Sequence, residues 1–451
     1  MKEPIITVSG LRGIIGSTLT PEIAIRYACA FAAVLPTGPI VLTRDSRPSG
    51  RMLAEAIRSG LAALGRDPVD AGIAATPTTG VLIQHLAAAG GIQISASHNP
   101  SQYNGMKLFS AEGRVIPATA GQRVIMRYRQ SEIPWVDHDR LGSARRQTDA
   151  TSEHLSRVLA TVDVQAIRKR RFHVLLDSNH GAGALLGRPL LERLGCETTL
   201  LGAEPDGQFE HTPEPTAENL SGVLSQVTQV GADVGFCQDP DADRLAVIDE
   251  RGRYLGEEYT LAMCVDHVLR QRKGPIVTNC STSRMSQQLA QNYEVPFFAS
   301  AVGEANVVDT MLEHGALLGG EGNGGVIDPR VGLVRDSFVG MALLLDAMAS
   351  RGAKISKLAD ELPRYEIVKT KVSLDRQMIP AALDALQRRF AQATASRVDG
   401  LRLDWPDGRW LLVRPSNTEP IVRAIAEAAT ELLARRLCDD AAETLAKASS
   451  G

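Results

Sequence analysis

A serine between small and polar residues follows an apolar run near position 95. Residues 91–94 predict a short buried strand, and S-A-S-H-N-P comes directly after it. Ligands bind at the carboxyl ends of strands in open α/β sheets, and a serine there can act as a nucleophile once it is activated. Ser97 is therefore a candidate nucleophile, with His98 and Lys107 as nearby sources of positive charge. A simple turn is the alternative, because serine, asparagine and proline favour turns.

Three aspartates alternate with other residues in the motif D-P-D-A-D-R. Pro240 favours an extended conformation of the residue before it, and alternate side chains of an extended chain point the same way. Asp239, Asp241 and Asp243 would then share one face, where a hard cation such as Mg²⁺ offsets their repulsion. An EF-hand loop is excluded, because its sixth position requires glycine and is Arg244 here. A solvated acidic turn is the remaining alternative.

Two later stretches carry groups that bind sugars or phosphates. Glycines within residues 319–325 let the backbone approach a ligand, and Glu321 with Asn323 can hydrogen-bond sugar hydroxyls. Arg414 can hold a phosphate through two parallel hydrogen bonds, and a helix beginning near Glu419 would add backbone amides. The further donors beyond Arg414 are Ser416, Asn417, Thr418 and Arg423. A tight turn and a helix-entry turn are the respective alternatives.

Two loops near the start of the chain also carry arginines. Arg12 lies between glycines in S-G-L-R-G, and residues 44–47, R-D-S-R, follow one predicted strand and open a predicted helix. Both loops have the character of phosphate-binding loops. Ordinary connections with solvated arginines are the alternative for both.

The composition limits the class of protein. The 451 residues exceed the size of a single hydrophobic core, roughly 250–300 residues, so several domains are expected. A net charge of -3 and 4% aromatic residues argue against a nucleic-acid partner. The six cysteines form no C-x-x-C pair, and neither a signal peptide nor a membrane-spanning stretch is evident. We expect a cytoplasmic protein with no membrane partner.

The elements that must position these residues repeat along the chain. A β-like run, a turn of small residues and an amphipathic stretch follow one another from residues 39, 172 and 275. Three such blocks predict three α/β domains. After Pro363, short strands and helices rich in alanine and leucine predict a smaller α+β domain. The predicted domains are residues 1–150, 151–255, 256–364 and 365–451.

Taken in order, these stretches resemble the motifs of the α-D-phosphohexomutase family from about residue 6 to about residue 427. S-x-S-H-N-P, D-P-D-A-D-R and R-P-S-N-T-E-P together are highly specific to that family. The resemblance implies four domains around a central cleft, three of them α/β with mixed sheets and the last a smaller α+β domain. It also implies an isomerase that moves a phosphoryl group between C6 and C1 of a hexose through a phosphoserine and a 1,6-bisphosphate. Mg²⁺ is the implied cofactor, and hexose 1,6-bisphosphate is the implied activator.

The resemblance also implies roles for individual residues. The phosphoserine and the residues near the transferred phosphoryl are Ser97, Arg12, His98 and Lys107. The implied ligands of Mg²⁺ are an oxygen of phosphorylated Ser97 and the carboxylates of Asp239, Asp241 and Asp243. The predicted substrate contacts are Arg244, Glu304, Glu321, Asn323, Arg414, Ser416, Asn417, Thr418 and Arg423.

Departures from the family pattern bear on the substrate. Members that act on mannose and glucose phosphates often have a serine and a histidine where this chain has Asn323 and Gly325. A histidine of some of those members is replaced by Glu304, which would suit a sugar amine. The sugar loop is more similar to that of the phosphoglucosamine mutases, which favours conversion of glucosamine 6-phosphate to glucosamine 1-phosphate.

Other functions stay open from the sequence. A phosphomannomutase or phosphoglucomutase is the first alternative to the glucosamine enzyme. A phosphatase or bisphosphate synthase that uses the same serine, and a silent sugar-phosphate binder, are the others. A small sugar phosphate is the expected partner in each case, and the protein is expected to be a monomer or a homodimer.

Overall fold

A computed structural model of the chain describes residues 3–130, 132–415 and 421–449. Within this part of the chain, the strands form four separate sheets of seven, four, four and five strands. The first three sheets mix parallel and antiparallel strands with helices between them, and the last is antiparallel. The predicted fold class is confirmed. The domain boundaries drawn from the sequence stay predictions.

The first sheet supplies the loop that carries Ser97. Its strands are β1 (Ile5–Thr7), β2 (Gly10–Ile14), β3 (Ile40–Arg44), β4 (Pro68–Ile73), β5 (Gly90–Ile94), β6 (Tyr103–Ser110) and β7 (Arg145–Arg146). The helices are α1 (Pro21–Ala32), α2 (Pro48–Ala63), α3 (Thr76–His85) and α4 (Ala118–Arg129), with a 3₁₀ turn at His138–Arg140. The strand order is β1-β2-β6-β5-β3-β4-β7, and β3 is parallel to both β5 and β4. The carboxyl ends of β3 and β5 therefore lie side by side.

The second sheet supplies the acidic loop. Its strands are β8 (His173–Asp177), β9 (Glu197–Leu201), β10 (Val234–Gln238) and β11 (Leu245–Asp249). Its helices are α5 (Ser152–Leu159), α6 (Val164–Arg170), α7 (Ala184–Arg193) and α8 (Ser221–Gln229). The order is β11-β10-β8-β9, and β10 and β11 pair antiparallel on either side of the acidic loop.

The third sheet supplies the glycine-rich loop. Its strands are β12 (Ile276–Asn279), β13 (Phe297–Ser300), β14 (Leu318–Glu321) and β15 (Gly325–Ile327), in the order β13-β12-β14-β15. Its helices are α9 (Glu257–Gln271), α10 (Met285–Asn292), α11 (Glu304–His314), α12 (Ser337–Arg351) and α13 (Ile355–Asp360). Glu321 ends β14 and Gly325 begins β15, so the loop is the turn between two paired strands.

The fourth sheet is antiparallel and carries Arg414. Its strands are β16 (Glu366–Ser373), β17 (Thr394–Ser396), β18 (Leu401–Asp404), β19 (Trp410–Pro415) and β20 (Ile421–Ala428), in the order β16-β20-β19-β18-β17. Its helices are α14 (Ile379–Arg389) and α15 (Glu431–Ser449), with a 3₁₀ turn at Arg376–Met378. The helix considered after Glu419 is wrong: a strand begins at Ile421 instead, and it pairs with β19.

Local sequence patterns account for most of these elements. The predicted strands at residues 39–43, 172–176 and 275–278 are confirmed as β3, β8 and β12 within a residue or two. Leu53, Ile57 and Leu61 recur at helical spacing in α2 and are fully buried. Gly65 follows that helix with a φ of +75°, a conformation that glycine adopts without steric cost.

One hydrophobic core runs through the second and third sheets without a break. Phe236 of β10 and Leu261 of α9 belong to the same buried cluster as Phe338 and Leu344 of α12. Every residue of α12 from Ser337 to Met348 is buried, as expected for a helix that is contacted on all sides. The first and fourth sheets pack against separate clusters. The acidic loop and the glycine-rich loop are therefore held by one packed unit.

No helix within the described residues is both long enough and apolar enough to cross a membrane.

The common core predicts a linked loss of stability. Phe338→Ala should lower the free energy of unfolding by about 3–5 kcal/mol, because it opens a cavity where the two sheets meet. Amide hydrogen exchange should then accelerate in β8 and β12 together. The control is Leu312→Ala on α11, whose side chain is 51% exposed and should change the free energy by less than about 0.5 kcal/mol. Faster exchange in only one of the two sheets would contradict a shared core.

Candidate active site

Ser97 lies in the loop after β5 and has an unusual backbone conformation. Its φ is +51°, in the left-handed region that residues other than glycine rarely adopt. The side chain is almost fully buried, and the hydroxyl of Ser95 accepts the backbone N–H of Ser97 at 2.8 Å. Such strain persists where the surroundings fix it, which is typical of functional loops.

Arg47 holds the loop that carries Ser97 in this conformation. Its Nη2 donates to the carbonyl of Ser97 at 2.7 Å, and its Nη1 donates to the carbonyl of Pro100 at 2.7 Å. Asp45 pairs with Arg47 Nε at 3.1 Å and accepts the hydroxyl of Ser95 at 2.7 Å. The Arg47 guanidinium also lies 5.0 Å from the ring centre of Phe209, which lies between β9 and α8. The interpretation of this loop as solvated is wrong, because Arg47 is buried against the serine loop.

The sequence singled out residues 44–47 as a possible phosphate-binding loop but gave Asp45 and Arg47 no role at the serine loop, although a signal for that role was present. Both follow β3, which is parallel to the strand that ends before Ser97. Loops at neighbouring carboxyl ends of parallel strands meet, so a buried acid and base there were candidates for holding the nucleophile.

The acidic loop between β10 and β11 brings its three carboxylates together. One oxygen from each of Asp239, Asp241 and Asp243 lies within 4.8 Å of the others, and all three residues are fully buried. The predicted extended conformation is wrong: the loop is a turn in which Ala242 has a φ of +54° and donates its N–H to the carbonyl of Asp239 at 2.9 Å. The carboxylates converge because of this turn, and alternation along a strand plays no part.

The donor set of this loop fits a divalent metal ion. Lys107 Nζ donates to one oxygen of Asp241 at 2.6 Å and to one oxygen of Asp243 at 2.7 Å. Thr76 donates to the same oxygen of Asp241. The other oxygen of each of these two aspartates is buried without a hydrogen-bond partner among the described residues. Oxygen atoms held in this way are typical ligands of hard cations.

Ser97 and the acidic loop are in direct contact. Ser97 Oγ donates to Asp239 Oδ2 at 2.9 Å, while the other Asp239 oxygen accepts the backbone N–H groups of Asp243 and Arg244 at 3.1 Å. Burial and the two neighbouring carboxylates raise the pKa of Asp239 well above its usual value. Burial acts in the same direction on Asp243, but Arg335 and Lys107 hold its pKa below the usual range.

Four basic side chains surround the serine, and three of them are cations. Arg12 Nη1 donates to the side chain of Asn99 at 2.9 Å, and Arg244 lies 3.5 Å from Glu214. Burial would lower the pKa of Lys107, but Asp241 and Asp243 outweigh burial and raise it. The fourth, His98, lies 3.2 Å from Ser97 Oγ through Nδ1. Burial, with Arg244 and Arg12 nearby, lowers the pKa of His98 to about 2, which favours a neutral imidazole over the positive charge predicted there.

The glycine-rich loop and the start of α11 contribute a second group of polar side chains to the candidate site. Glu321 accepts the side chain of Asn279 at 2.7 Å and the backbone N–H of Gly303 at 3.1 Å. Asn323 donates to the other oxygen of Glu321 at 3.5 Å. Glu304 is the first residue of α11 and is buried, with one oxygen unpartnered among the described residues. Burial raises the pKa of Glu304 to about 7, although Arg335 opposes this shift.

Arg335 is another site residue that sequence reasoning missed. It lies between β15 and α12 and forms ion pairs with Asp243, Glu304 and Glu321 at 2.7, 3.0 and 2.6 Å. Locally, Val334 to Ser337 has the pattern of a helix start, because Asp336 caps α12. No nearby residue reveals the carboxylates that Arg335 contacts.

Part of the predicted phosphate loop lies outside the described residues, namely Ser416, Asn417 and Thr418. Arg414 lies in β19, one residue before its end, and pairs with Asp399 at 3.0 Å. The same Asp399 accepts the backbone N–H of Val302 at 3.1 Å, two residues before Glu304. Arg423 lies opposite Arg414 on β20. Arg414 is thus joined through one carboxylate to the segment that leads into α11.

Comparison with known proteins shows the family. Phosphoglucomutase/phosphomannomutase models match in succession: alpha/beta/alpha domains I, II and III at residues 4–133, 152–252 and 257–365, and the C-terminal domain at 369–444. A phosphoglucomutase/phosphomannomutase of Thermococcus kodakarensis is 38% identical over 451 residues, with 98% of each chain covered. A Methanopyrus kandleri protein named probable phosphoglucosamine mutase is 32% identical over 436 residues, covering 96% of this chain and 95% of its own.

A solved structure agrees with these relatives. A phosphoglucomutase/phosphomannomutase family protein from Burkholderia thailandensis superimposes with a TM-score of 0.85 at 28% identity, covering 99% of both chains. The fold and the site therefore define an isomerase that acts on hexose phosphates. The chain belongs to the phosphoglucomutase/phosphomannomutase family, the α-D-phosphohexomutases, as its motifs predict.

The acidic loop predicts one tight divalent-cation site. Titration with Mn²⁺, followed by electron paramagnetic resonance, should show one bound ion per chain. Asp241→Asn should weaken binding by about 10-fold or more, because it removes a charged ligand. Asp137→Asn is the control, since its side chain is 77% exposed and its ion pair within the described residues is with Arg140, away from the acidic loop. Equal affinity in both variants would show that the loop is not the metal site.

Proposed function

We propose that this chain is a phosphoglucosamine mutase that interconverts glucosamine 6-phosphate and glucosamine 1-phosphate through a phosphoserine at Ser97. The observation that carries the proposal is the 2.9 Å contact between Ser97 Oγ and Asp239 Oδ2. A nucleophile that touches the acidic loop can, once phosphorylated, share a cation with the three carboxylates. Mg²⁺ is the cation that this set of oxygen ligands and a phosphoryl oxygen favours.

The proposed reaction consists of two phosphoryl transfers, each of which forms one O–P bond and breaks another. The free hydroxyl of the sugar monophosphate attacks the phosphorus on Ser97, so that a sugar O–P bond forms while the bond to Oγ breaks. The hydroxyl loses its proton and Ser97 Oγ gains one, which leaves hexosamine 1,6-bisphosphate beside a free serine. Return of the other phosphoryl group to Ser97 completes the isomerisation. Bisphosphate added in trace amounts therefore acts as an activator, because it phosphorylates Ser97.

The residues around the serine stabilise this transfer mainly by position and charge. Phosphoryl transfer spreads negative charge over the equatorial oxygens, and Mg²⁺ in the acidic loop would neutralise part of it. Arg12 and Lys107 lie on the same side as Ser97 and supply fixed positive charge, as Arg244 does from the acidic loop. Neutral His98 can give or accept a hydrogen bond at Ser97 Oγ. Fixed charges of this kind need no rearrangement during the reaction.

The non-reacting phosphate needs a site of its own, because the sugar must bind in two orientations. Arg414 and Arg423 are the proposed cations of that site, together with Ser416, Asn417 and Thr418. The contact through Asp399 supports this assignment, since it places Arg414 next to the loop that leads to Glu304. Glu321 and Asn323 are the proposed partners of the sugar hydroxyls.

The direct test follows isomers by phosphorus NMR with Mg²⁺ and trace hexose 1,6-bisphosphate. Glucosamine 6-phosphate should be isomerised, and Ser97→Ala should reduce turnover by more than about 1,000-fold, because the covalent route is lost. Ser101→Ala, an exposed serine at the end of the same loop, should keep the activity. Release of inorganic phosphate alone would indicate a phosphatase. No reaction with any hexose phosphate would indicate a silent binder.

A phosphomannomutase or phosphoglucomutase is the second candidate. The Thermococcus kodakarensis relative named phosphoglucomutase/phosphomannomutase is 38% identical, against 32% for the protein named probable phosphoglucosamine mutase. Glu304 favours the amino sugar, because its unpartnered carboxylate oxygen can accept a hydrogen bond from an ammonium group.

Glu304→Gln should separate these two candidates. Charge-assisted hydrogen bonds contribute about 1.5–3 kcal/mol, so the ratio of kcat/KM for glucosamine over glucose phosphate should fall roughly 10-fold or more. The same preference should weaken in the wild type as the pH falls below about 7, where Glu304 takes up a proton. Glu313→Gln, on the exposed face of α11, is the control. An unchanged ratio in Glu304→Gln would favour the glucose and mannose reactions.

Other properties stay predictions. These are a cytoplasmic location, the lack of a nucleic-acid partner, and a monomeric or homodimeric state.

A further inference from the structure

Arg335 joins three carboxylates that belong to separate parts of the cleft. Its Nη2 donates to Asp243 at 2.7 Å, its Nη1 to Glu321 at 2.6 Å, and its Nε to Glu304 at 3.0 Å. Its side chain is 11% exposed. Each guanidinium nitrogen is therefore used by a different acid, and one planar group links the acidic loop, the glycine-rich loop and the start of α11.

Each of the three carboxylates binds Arg335 through one oxygen, and its other oxygen does not contact the arginine. Asp243 Oδ1 and Glu304 Oε1 are buried without a hydrogen-bond partner in the described part of the chain. The second oxygen of Glu321 accepts an asparagine side chain and a backbone amide. The two unpartnered oxygens are those that face a cation and a substrate in the proposed function. Residues that hold the outer oxygen of a metal ligand fix its orientation.

Arg335 has room to reach these acids because position 325 has no side chain. A Cβ on Gly325 would lie 2.3 Å from Cδ of Arg335 and 2.7 Å from its Cγ, far inside van der Waals contact. Gly325 and Glu304 are the positions at which the family resemblance indicates histidines in relatives acting on glucose and mannose phosphates. The two departures are thus linked in space: one opens the path of Arg335, and the other is its ion-pair partner.

The backbone of Arg335 is held from the first sheet. Asp336 caps α12 through the backbone N–H of Phe338 at 2.9 Å and pairs with His154 Nε2 at 2.7 Å. His154 Nδ1 in turn lies 2.9 Å from the hydroxyl of Thr78 on α3. Arg335 therefore precedes a residue that is anchored to α12 and α5, and each of its own three side-chain nitrogens is hydrogen-bonded.

We propose that Arg335 is a positioning residue that couples the metal site to the sugar site. It orients Asp243 toward the cation and Glu321 with Glu304 toward the sugar, so that ordering one site orders the other. The part of the proposal that concerns the sugar rests on the proposed function, whereas the part that concerns Asp243 does not. A lysine cannot reproduce this arrangement, because its donors share one nitrogen, whereas Arg335 contacts the three acids through three separate nitrogens of a planar group.

The test measures Mn²⁺ affinity by electron paramagnetic resonance, first without sugar and then with saturating glucosamine 6-phosphate. In the wild type, the sugar phosphate should tighten Mn²⁺ binding by about 5-fold or more. Arg335→Lys should weaken sugar-free binding by about 10-fold or more and abolish the effect of the sugar. Circular dichroism confirms that each variant is folded.

A second variant reaches the same conclusion without changing Arg335. Gly325→Ala should displace the arginine and reproduce both effects, and the double variant should bind Mn²⁺ no more weakly than the weaker single variant. Gly332→Ala, in the segment between β15 and α12 that also carries Arg335, is the control, since its Cβ would meet only Val81 at 3.8 Å.

Two outcomes separate this inference from the proposed function. Wild-type Mn²⁺ affinity and sugar effect in Arg335→Lys and Gly325→Ala would overturn the coupling, even if the mutase activity is found. Weakened sugar-free binding in both variants would support the role of Arg335 at Asp243, even if no isomerisation of glucosamine phosphate is found.

Discussion

The buried acidic loop is the constraint on which the rest of the structure depends. Asp239, Asp241 and Asp243 are fully buried, with one oxygen of each within 4.8 Å of the others. Like charges repel strongly inside a protein, because the interior screens them much less than water does. The chain offsets the repulsion with Lys107 from β6 and Arg335 from the loop before α12. Lys107 belongs to the first sheet and Arg335 follows the third, whereas the acidic loop belongs to the second. The loop therefore depends on residues from both neighbouring parts of the chain to offset its charge.

The serine loop depends on a buried pair in a similar way. A left-handed backbone at a residue other than glycine costs about 1–3 kcal/mol, and Ser97 and Ala242 both adopt it. Arg47 offsets the cost at Ser97 by binding the carbonyls of Ser97, Asn99 and Pro100 in the same loop, and Asp45 keeps that arginine from being an unpaired buried charge. The nucleophile therefore reaches the acidic loop as a preformed part of the first sheet.

Local patterns predicted most elements and the position of Ser97 in a loop after a strand, because strands, turns and helices are encoded by neighbouring residues. They failed where a residue's role depends on distant contacts. Arg335 has only the appearance of a residue before a helix cap, and its three acids lie 14 to 92 residues away in sequence. The turn at Ala242 was missed for a related reason. Pro240 restricts only the residue before it, whereas the turn closes through a bond from Ala242 to Asp239.

The departures from the family pattern have a physical meaning that single positions do not reveal. Gly325, Glu304 and Arg335 depend on one another. Gly325 has no side chain and so leaves room for Arg335, and Glu304 supplies a negative charge that pairs with Arg335. Placing a larger residue at 325 without changing Arg335 would create a clash. Removing Arg335 alone would leave Glu304 and Glu321 as buried acids without their cation, which is costly. If the proposed sugar site is right, substrate preference is expected to change only when these residues change together, and Asp243, a proposed metal ligand, is bound to the same arginine.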